Sequence, residues 1–351
     1  MKPILEPMAV EALLEWYREN RRDLPWRHTK DPYCIWISEI MLQQTRVEAV
    51  KPYYARFLEA FPTVEALAAA DEQRLLKLWE GLGYYSRARN LQKAAKTVVE
   101  CYGGRMPESE AELRGLCGVG DYTAGAIASI AFGLPAPAVD GNVLRVLSRI
   151  TGSREDIAKL ETKKRQSEAL RQVIPQDAGS FTQGLIELGA TVCVPNGEAK
   201  CGECPMAPWC VAKREGLIDE LPVKSAKKPR RIEALTVLII RDNSRTVLRR
   251  RPSKGLLAGL YELPNFTGHL TEREVTERVR QMGLEPIRVQ RIEDAKHIFT
   301  HVEWHMIGYT VQIGSEFDGM REEEGTVLEE NDVLRADYPI PSAFSAYKKY
   351  F

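Results

Sequence analysis

The 351-residue sequence has no excess of charge of either sign, because its 49 Lys and Arg residues balance its 49 Asp and Glu residues. Net charge therefore gives no support to nucleic-acid binding, which has to rest on the placement of individual residues. The longest apolar stretch, Ala124 to Val139, is interrupted by glycines and prolines and is too short to span a bilayer. The N-terminus contains Glu6 and Glu11 and no apolar region typical of a signal peptide, which predicts a cytoplasmic protein without membrane association.

Cysteine is infrequent but unevenly distributed, since four of the seven cysteines lie between positions 193 and 210. In a protein without an export signal, such a group indicates metal ligands rather than disulfides. The spacing is Cys-x7-Cys-x2-Cys-x5-Cys for Cys193, Cys201, Cys204 and Cys210. Four thiolates so close together suit either a tetrahedral zinc ion or a cubane iron–sulfur cluster.

The segment LCGVGDYTAG (116–125) combines a tight turn with the start of a helix. Gly118 and Gly120 flank one valine, so the backbone can turn sharply, and helical apolar spacing follows. A helix that begins in this way points unpaired backbone N–H groups outward, as a phosphate site requires. Asp140 precedes a second amphipathic run, where backbone amides favour an ionised carboxylate. Taken singly, each piece is also compatible with an ordinary turn and an ordinary helix cap.

Glu39 lies within an apolar segment, Tyr33–Val50, for which the spacing predicts a helical face. Desolvation by its apolar neighbours would raise the pKa of Glu39 and suit it to donate a proton near neutral pH. The alternative is that Glu39 lies on the exposed face and has no such role. Further helices are predicted over Val10–Glu19, 63–80 and 155–192.

A chain of this length is expected to form two domains. The basic, proline-containing segment 222–231 predicts a linker between a domain over 1–221 and a domain over 232–351. Apolar runs at 234–240 and 246–250 predict a β-hairpin. The segment 255–264 resembles the beginning of a Nudix (MutT-like) domain. The glutamate-rich helix that would bind Mg2+ is missing, so pyrophosphate hydrolysis is not expected.

The two-glycine turn followed by an aspartate before a helix resembles the helix-hairpin-helix signature of base-excision DNA glycosylases. Together with SEIMLQQT (38–45), the cysteine spacing and the Nudix-like segment, the whole chain resembles the MutY family of adenine DNA glycosylases. The resemblance implies a mainly α N-terminal domain of two helical lobes with an iron–sulfur loop over 193–210. An α+β Nudix-like C-terminal domain would follow. The expected partner of the monomer is duplex DNA with adenine opposite 8-oxoguanine or guanine.

The resemblance also implies roles for individual residues. Glu39 would protonate adenine, Asp140 would stabilise the cationic sugar, and Tyr122 and Asn142 would position the nucleotide and water. Relatives that cut the DNA strand have lysine at the position of Tyr122, where an amine forms a Schiff base, so a monofunctional enzyme is expected. The implied adenine pocket consists of Trp26, Arg27, Leu42, Val47, Gln183 and Glu187.

Further implied sites concern the duplex and the cofactor. The implied DNA-binding residues are Gln43, Gln44, Thr45, Leu82, Tyr84, Arg87, Gly118, Val119, Gly120 and Thr123. Tyr84, Phe299, Thr300 and His301 would recognise 8-oxoguanine, with Thr300 where the family usually has serine. Cys193, Cys201, Cys204 and Cys210 would bind a [4Fe–4S] cluster, although the first cysteine gap is seven residues here and usually six. From the residues alone, Trp26 and Tyr84 are also compatible with core packing, and Gln183 with an exposed position on a helix surface. The segment His297–His305 is also compatible with an edge strand that carries surface histidines.

Three alternatives remain open from the sequence. A related glycosylase for mismatched thymine or oxidised pyrimidine would share the hairpin and the cluster but would need neither Glu39 nor the C-terminal domain. A non-catalytic iron–sulfur protein would bind duplex DNA without releasing a base. A Nudix hydrolase is disfavoured by the missing acidic helix.

Overall fold

The computed structural model describes residues 3–226, 229–242, 244–314 and 326–351. Lys227 and Lys228 of the predicted linker lie outside the described residues. The chain divides into two compact units, of which the first consists of Met1–Ala70 and Arg89–Ala226. The second unit consists of Asp71–Ala88 and Lys227–Phe351. This division differs from the domain limits expected from the sequence at residues 71–88, which group with the C-terminal part of the chain.

The chain before residue 227 is mainly helical, as predicted. Its α-helices are α1 (Pro7–Asn20), α2 (Pro32–Leu42), α3 (Val47–Ala60), α4 (Val64–Ala68), α5 (Glu72–Leu78), α6 (Ser86–Tyr102), α7 (Glu110–Gly115), α8 (Asp121–Ile130), α9 (Gly141–Thr151), α10 (Leu160–Arg171), α11 (Ala178–Thr191) and α12 (Val211–Glu215). The helices predicted over 63–80 and 155–192 are each interrupted, so α4 and α5 replace the first and α10 and α11 the second.

The predicted helical segment Tyr33–Val50 is also wrong in its continuity, because α2 ends at Leu42 and α3 begins at Val47. Gln44, in the gap, has a left-handed φ of 59°, which no α-helix accommodates. At the other end of α2, the Asp31 side chain accepts a hydrogen bond from the Tyr33 amide and caps the helix. The short α2 is buried on most sides, with Trp36 and Ile37 at 0% exposure.

The predicted helix-hairpin-helix is confirmed. Helices α7 and α8 are joined by a turn in which Gly118 has a φ of +79°, a conformation that glycine adopts without steric cost. Helix α8 then passes close to the segment that leads to Asp140, because Gly125 faces the backbone of Pro137. Asp140 caps α9 as predicted, by accepting hydrogen bonds from the amides of Asn142 and Val143.

Helix α11 lies in the core of the first unit and packs against α1, α8 and α9. Leu13 of α1, Val146 of α9 and Leu185 of α11 belong to one apolar cluster, and none is more than 1% exposed. Cys210 belongs to the same cluster, so the cysteine segment is attached to the core that supports α9.

The second unit is built on a mixed sheet. Its elements after residue 228 are β1 (Arg231–Arg241), β2 (Arg245–Arg250), β3 (Tyr261–Glu262), β4 (Asn265–Thr267), α13 (Glu272–Gln281), β5 (Pro286–Ile298), β6 (Val302–Ile313), β7 (Thr326–Glu330) and α14 (Asn331–Asp337). Among the described residues the strand order is β3-β2-β1-β6-β5, while β4 also pairs with β1 and β7 with β2. The predicted hairpin is confirmed as antiparallel β1 and β2, and β1 runs parallel to β6.

Alternate residues of β1 face opposite sides of the sheet, as the period of a strand requires. Leu238 and Ile240 pack against Val275 and Val279 of α13, a helix that was not predicted from the sequence. The opposite face is covered by the C-terminal segment, which contains a 3-10 helix over Ser342–Tyr350. Strands β5 and β6 form a hairpin whose tip consists of residues 299–301. The unit is therefore α+β, as predicted.

In the part of the chain that the structure describes, no helix has the length and apolar character needed to cross a membrane.

Gly125→Ala tests the close approach of α8 to the segment before Asp140. An added Cβ would overlap the carbonyl oxygen of Pro137, a backbone atom that cannot turn away. We expect the free energy of unfolding to fall by about 1–3 kcal/mol, the usual cost of overpacking. The matched control is Gly115→Ala, whose Cβ meets nothing within 4 Å. Equal stability of the two variants in thermal and urea denaturation would contradict this packing.

Candidate active site

One cavity of about 500 Å³ in the first unit brings together most of the residues predicted for catalysis and adenine binding. It lies among α2, α8, α9, α11 and the 3-10 turn at Pro25–Arg27. The predicted residues that line it are Trp26, Arg27, Glu39, Leu42, Gln43, Gln44, Thr45, Val47, Tyr122, Asp140, Asn142 and Gln183. Five separate stretches of sequence thus converge on one cavity.

Glu39 projects from α2 into this cavity, and the residue is only 7% exposed. The pKa of Glu39 is raised to about 7, mainly by burial and to a lesser degree by the negative charge of Asp140. A hydrogen bond from the Tyr122 hydroxyl and the charge of Arg27 act in the opposite direction. Its Oε2 atom is buried and has no hydrogen-bond partner among the described residues. The expected rise in pKa is confirmed, and one carboxyl oxygen is left for a ligand.

Asp140 is held by three hydrogen bonds at the start of α9. Its Oδ1 accepts from the amides of Asn142 and Val143, both at 2.8 Å, and its Oδ2 accepts from the Asn142 side chain at 2.8 Å. Burial nevertheless raises the pKa of Asp140, although these bonds and the charge of Arg145 lower it. The helix start therefore acts in the predicted direction, but desolvation outweighs it.

Asn142 is itself fixed from two sides. Its Oδ1 accepts a hydrogen bond of 2.9 Å from Arg145, which also donates to the carbonyl oxygens of Cys193 at 2.7 Å and Gly189 at 2.7 Å. A Cβ on Gly189 would lie 2.6 Å from the Asn142 Cβ, so glycine is needed for this close contact. Sequence reasoning missed Arg145, although its position three residues after Asn142 places both on one face of α9.

Glu187 was predicted to line the adenine pocket, but it is not among the residues that line the cavity. It is fully buried and forms ion pairs with Arg22 at 2.8 Å and with Arg27 at 2.7 Å. The hydrogen bonds from these two arginines lower the pKa of Glu187 to about 2, although burial opposes them. Glu187 thus holds Arg27 beside the cavity. Arg22, which also lines the cavity, was not predicted, because its partner lies 165 residues away.

The residues predicted to bind DNA differ in exposure. Leu82, Arg87, Val119 and Thr123 are buried, and their side chains face the protein. Thr123 accepts a hydrogen bond of 3.2 Å from Gln43. Gln44, Gly118 and Gly120 are exposed, Gln43 and Thr45 are partly exposed, and Tyr84 is 45% exposed. In this conformation the side chains of Gln43, Gln44 and Tyr84 are accessible to a ligand. Those of Leu82 and Arg87 are not.

In the second unit, the predicted 8-oxoguanine residues meet at the tip of the β5–β6 hairpin. Thr300 and His301 are exposed, whereas Phe299 is half-buried and packs edge-on against Trp304 with ring centroids 4.8 Å apart. The Tyr84 hydroxyl lies 3.1 Å from Thr300 Oγ1, within hydrogen-bond distance. Tyr84 and Thr300 are therefore brought together from opposite parts of the chain.

The four clustered cysteines line one small apolar pocket between α9, α11 and the segment that follows α11. Arg149 donates a hydrogen bond of 3.3 Å to Cys193 Sγ, which would stabilise a thiolate. Within the described ranges, no group of three or more His, Cys, Asp or Glu residues could hold a metal ion. Four thiols around one pocket are the donor set that a cubane iron–sulfur cluster would need.

Comparisons with known proteins agree with this geometry. Residues 37–175 match the HhH-GPD superfamily of base excision DNA repair proteins, and residues 236–349 match the NUDIX domain. An adenine DNA glycosylase from Mus musculus is 36% identical over 350 residues, which cover 83% of this chain and 68% of the mouse protein. An adenine DNA glycosylase from Buchnera aphidicola subsp. Schizaphis graminum is 31% identical over 86% of this chain and 87% of that protein.

Among solved structures, a thermostable thymine-DNA glycosylase is 32% identical with a TM-score of 0.54. The similarity covers 59% of this chain and 95% of that one. A trapped covalent intermediate of endonuclease III with DNA is 27% identical with a TM-score of 0.50, over 60% of this chain and 95% of that one. The chain belongs to the adenine DNA glycosylase family and is a DNA glycosylase of base excision repair.

Proposed function

We propose that this glycosylase removes adenine paired with 8-oxoguanine or guanine in duplex DNA by hydrolysing the N-glycosidic bond. The observation that supports the proposal is the convergence of Glu39 and Asp140 on one cavity of about 500 Å³. That volume is in the range of small-molecule sites. The adenine would have to leave the base stack before its sugar bond could enter the cavity.

Glu39 is the general acid in this proposal. A pKa of about 7 keeps much of the carboxyl protonated at neutral pH, whereas an ordinary glutamate would be ionised. The proton passes from Glu39 to N7 of adenine, which makes the base a better leaving group. Oε2, which has no partner among the described residues, is the oxygen that we assign to this contact. Once deprotonated, Glu39 accepts a proton from the attacking water.

Asp140 stabilises the positive charge that develops on the sugar as the base leaves. Its three hydrogen bonds favour the ionised carboxylate of Asp140. Glu39 has an oxygen without such a partner among the described residues, so its ionised form is less favoured. Asn142 orients the Asp140 carboxylate, and Tyr122 orients Glu39. Two carboxyl groups in unlike surroundings thus take separate roles as acid and as anion.

We further propose that the enzyme does not cut the DNA strand. Tyr122 lines the cavity at the hairpin position where strand-cleaving relatives have lysine. A phenol forms no Schiff base with the opened sugar, so the product is an intact strand with an abasic site. Recognition of 8-oxoguanine is assigned to Phe299, Thr300 and His301 at the hairpin tip, together with Tyr84.

A [4Fe–4S] cluster is the proposed cofactor, held by Cys193, Cys201, Cys204 and Cys210. The pocket between these cysteines and the Arg149 hydrogen bond support it. When bound, the cluster would hold the segment over 193–210 in a fixed shape, and hydrolysis needs no redox step from it. This segment packs on the core that supports α9 and therefore Asp140.

Release of adenine from an A:8-oxoguanine duplex tests the proposed activity. We expect Glu39→Gln to lower the single-turnover rate by about 10²–10⁴-fold, the usual contribution of a general acid, and Asp140→Asn by about 10²–10³-fold. The wild type should leave the strand intact until alkali is added. Release of thymine or an oxidised pyrimidine instead, binding without release, or Mg2+-dependent hydrolysis of a damaged dGTP would each contradict the proposal.

Tyr122→Phe tests the acid role through pH. The Tyr122 hydrogen bond lowers the pKa of Glu39, so its removal should raise that pKa above about 7. Since the protonated form is active, the single-turnover rate should then decline at a higher pH than in the wild type. Tyr347→Phe is the control, because the buried Tyr347 hydroxyl has no hydrogen-bond partner among the described residues. A decline at unchanged or lower pH in Tyr122→Phe would refute the assignment.

Metal analysis tests the cofactor. The wild type should contain about four iron atoms per chain and show sulfur-to-iron charge-transfer absorption in the visible. Cys204→Ser should lose both, whereas Cys101→Ser, at an exposed cysteine outside the loop, should keep both. Zinc in place of iron, or iron content unaffected by Cys204→Ser, would overturn the assignment.

A further inference from the structure

Tyr84 has an unusual backbone conformation next to an exposed ring. Its φ of 48° lies in the left-handed region, which a tyrosine occupies only when its surroundings enforce it. The hydroxyl lies 3.1 Å from Thr300 Oγ1, although 216 positions separate the two residues. The meeting of these side chains therefore depends on how the segment 71–88 is held within the second unit.

The turn that leads to Tyr84 is internally rigid. The Trp79 indole donates a hydrogen bond of 3.1 Å to the Gly83 carbonyl. The buried Arg87 guanidinium donates to the carbonyls of Leu82 at 3.1 Å and Gly83 at 3.0 Å. Arg87 also lies over the rings of Trp79 and Tyr84, 5.4 and 5.5 Å from their centroids. These contacts hold together the turn that carries Tyr84.

The turn is attached to the C-terminal segment by polar contacts that begin at Glu80. The Glu80 side chain is only 16% exposed and forms ion pairs with Lys77 at 2.6 Å and with Lys348. Lys77 also donates a hydrogen bond of 3.0 Å to the Tyr338 carbonyl. Gln73, one turn earlier on α5, donates to the Asp337 carbonyl.

A cavity lies beside these contacts at Glu80. A cavity of about 270 Å³ is lined by residues of both segments, Lys77, Glu80 and Gly81 on one side and Ile340, Ser342, Ser345 and Lys348 on the other. The ion pair between Glu80 and Lys348 joins the two sides of this cavity. Lys348 thereby links the 3-10 helix over Ser342–Tyr350 to the turn that ends in Tyr84.

We propose that Glu80 and Lys348 form a positioning pair that sets Tyr84 against Thr300 and so determines the preference for 8-oxoguanine over guanine opposite adenine. The inference rests on the proposed function, because Tyr84 and Thr300 are assigned there to the recognition of 8-oxoguanine. Neither Glu80 nor Lys348 contacts the reacting atoms. The pair acts through the rigid turn, so its loss alters which duplex is selected and leaves the chemical step intact.

The test compares Lys348→Met with Lys349→Met in the full-length protein. Lys349 is the next residue and pairs with Glu293 instead, so both variants lose one positive charge from the same 3-10 helix. General attraction to phosphate falls equally in the two. We expect Lys348→Met to reduce the preference in kcat/KM for A:8-oxoguanine over A:G by about fivefold or more. Its single-turnover rate at saturating enzyme should stay within about twofold of wild type, and Lys349→Met should keep the preference.

A double variant tests whether the pair acts through Tyr84. In a Tyr84→Phe background the hydroxyl contact with Thr300 is already lost, so Lys348→Met should reduce the preference no further. An undiminished effect in that background would overturn the positioning role. An unchanged preference in Lys348→Met, or an equal loss in Lys349→Met, would also overturn it.

Hydrogen exchange separates failure of this inference from failure of the proposed function. Backbone amides of 79–88 should exchange faster in Lys348→Met than in Lys349→Met, whatever the substrate is. Equal exchange in the two variants would refute the positioning pair. Faster exchange in Lys348→Met, combined with a wild type that does not distinguish 8-oxoguanine from guanine, would support the pair and refute the assigned recognition.

Discussion

Burial of two carboxyl groups around one cavity is the constraint on which the first unit depends. Glu39 and Asp140 are both largely removed from water, and burial raises the pKa of each. Ionisation of either one disfavours ionisation of the other, so the pair holds one charge more readily than two. Three hydrogen bonds favour that charge on Asp140, while Glu39 keeps an oxygen without a partner among the described residues. Because their surroundings differ, Glu39 is favoured as the protonated acid and Asp140 as the anion.

Other residues of the first unit hold the surroundings of Glu39 and Asp140 in place. Helix α9 presents Asp140, and Arg145 ties the adjoining Asn142 to the backbone at Cys193, where the proposed cluster would bind. On the other side of the cavity, Glu187 holds Arg27 by a buried ion pair. An unpaired charge at such depth would destabilise the fold, and Glu187 is paired with both Arg22 and Arg27.

Local features of the sequence predicted much of this structure, because caps and periodicity depend on residues close in the chain. The two-glycine turn, the Asp140 cap and the β1–β2 hairpin of the C-terminal unit are of this kind. Features that depend on distant partners were not predictable. The break at Gln44 is one case, since its left-handed backbone leaves no pattern of polar and apolar residues. The buried pairing of Glu187 with Arg22 is another, and so is the attachment of residues 71–88 to the C-terminal unit.

Titration of the Glu39 carboxyl group tests most directly whether Glu39 is the acid of the pair. Isotope-edited infrared spectroscopy would monitor its protonation. Loss of the band in Glu39→Gln would identify the signal. We expect a pKa of about 7 for Glu39 in the wild type and a lower pKa in Asp140→Asn, because the neighbouring charge that raises it is then removed. A Glu39 that titrates near its ordinary value of 4.5 in both proteins would contradict the account.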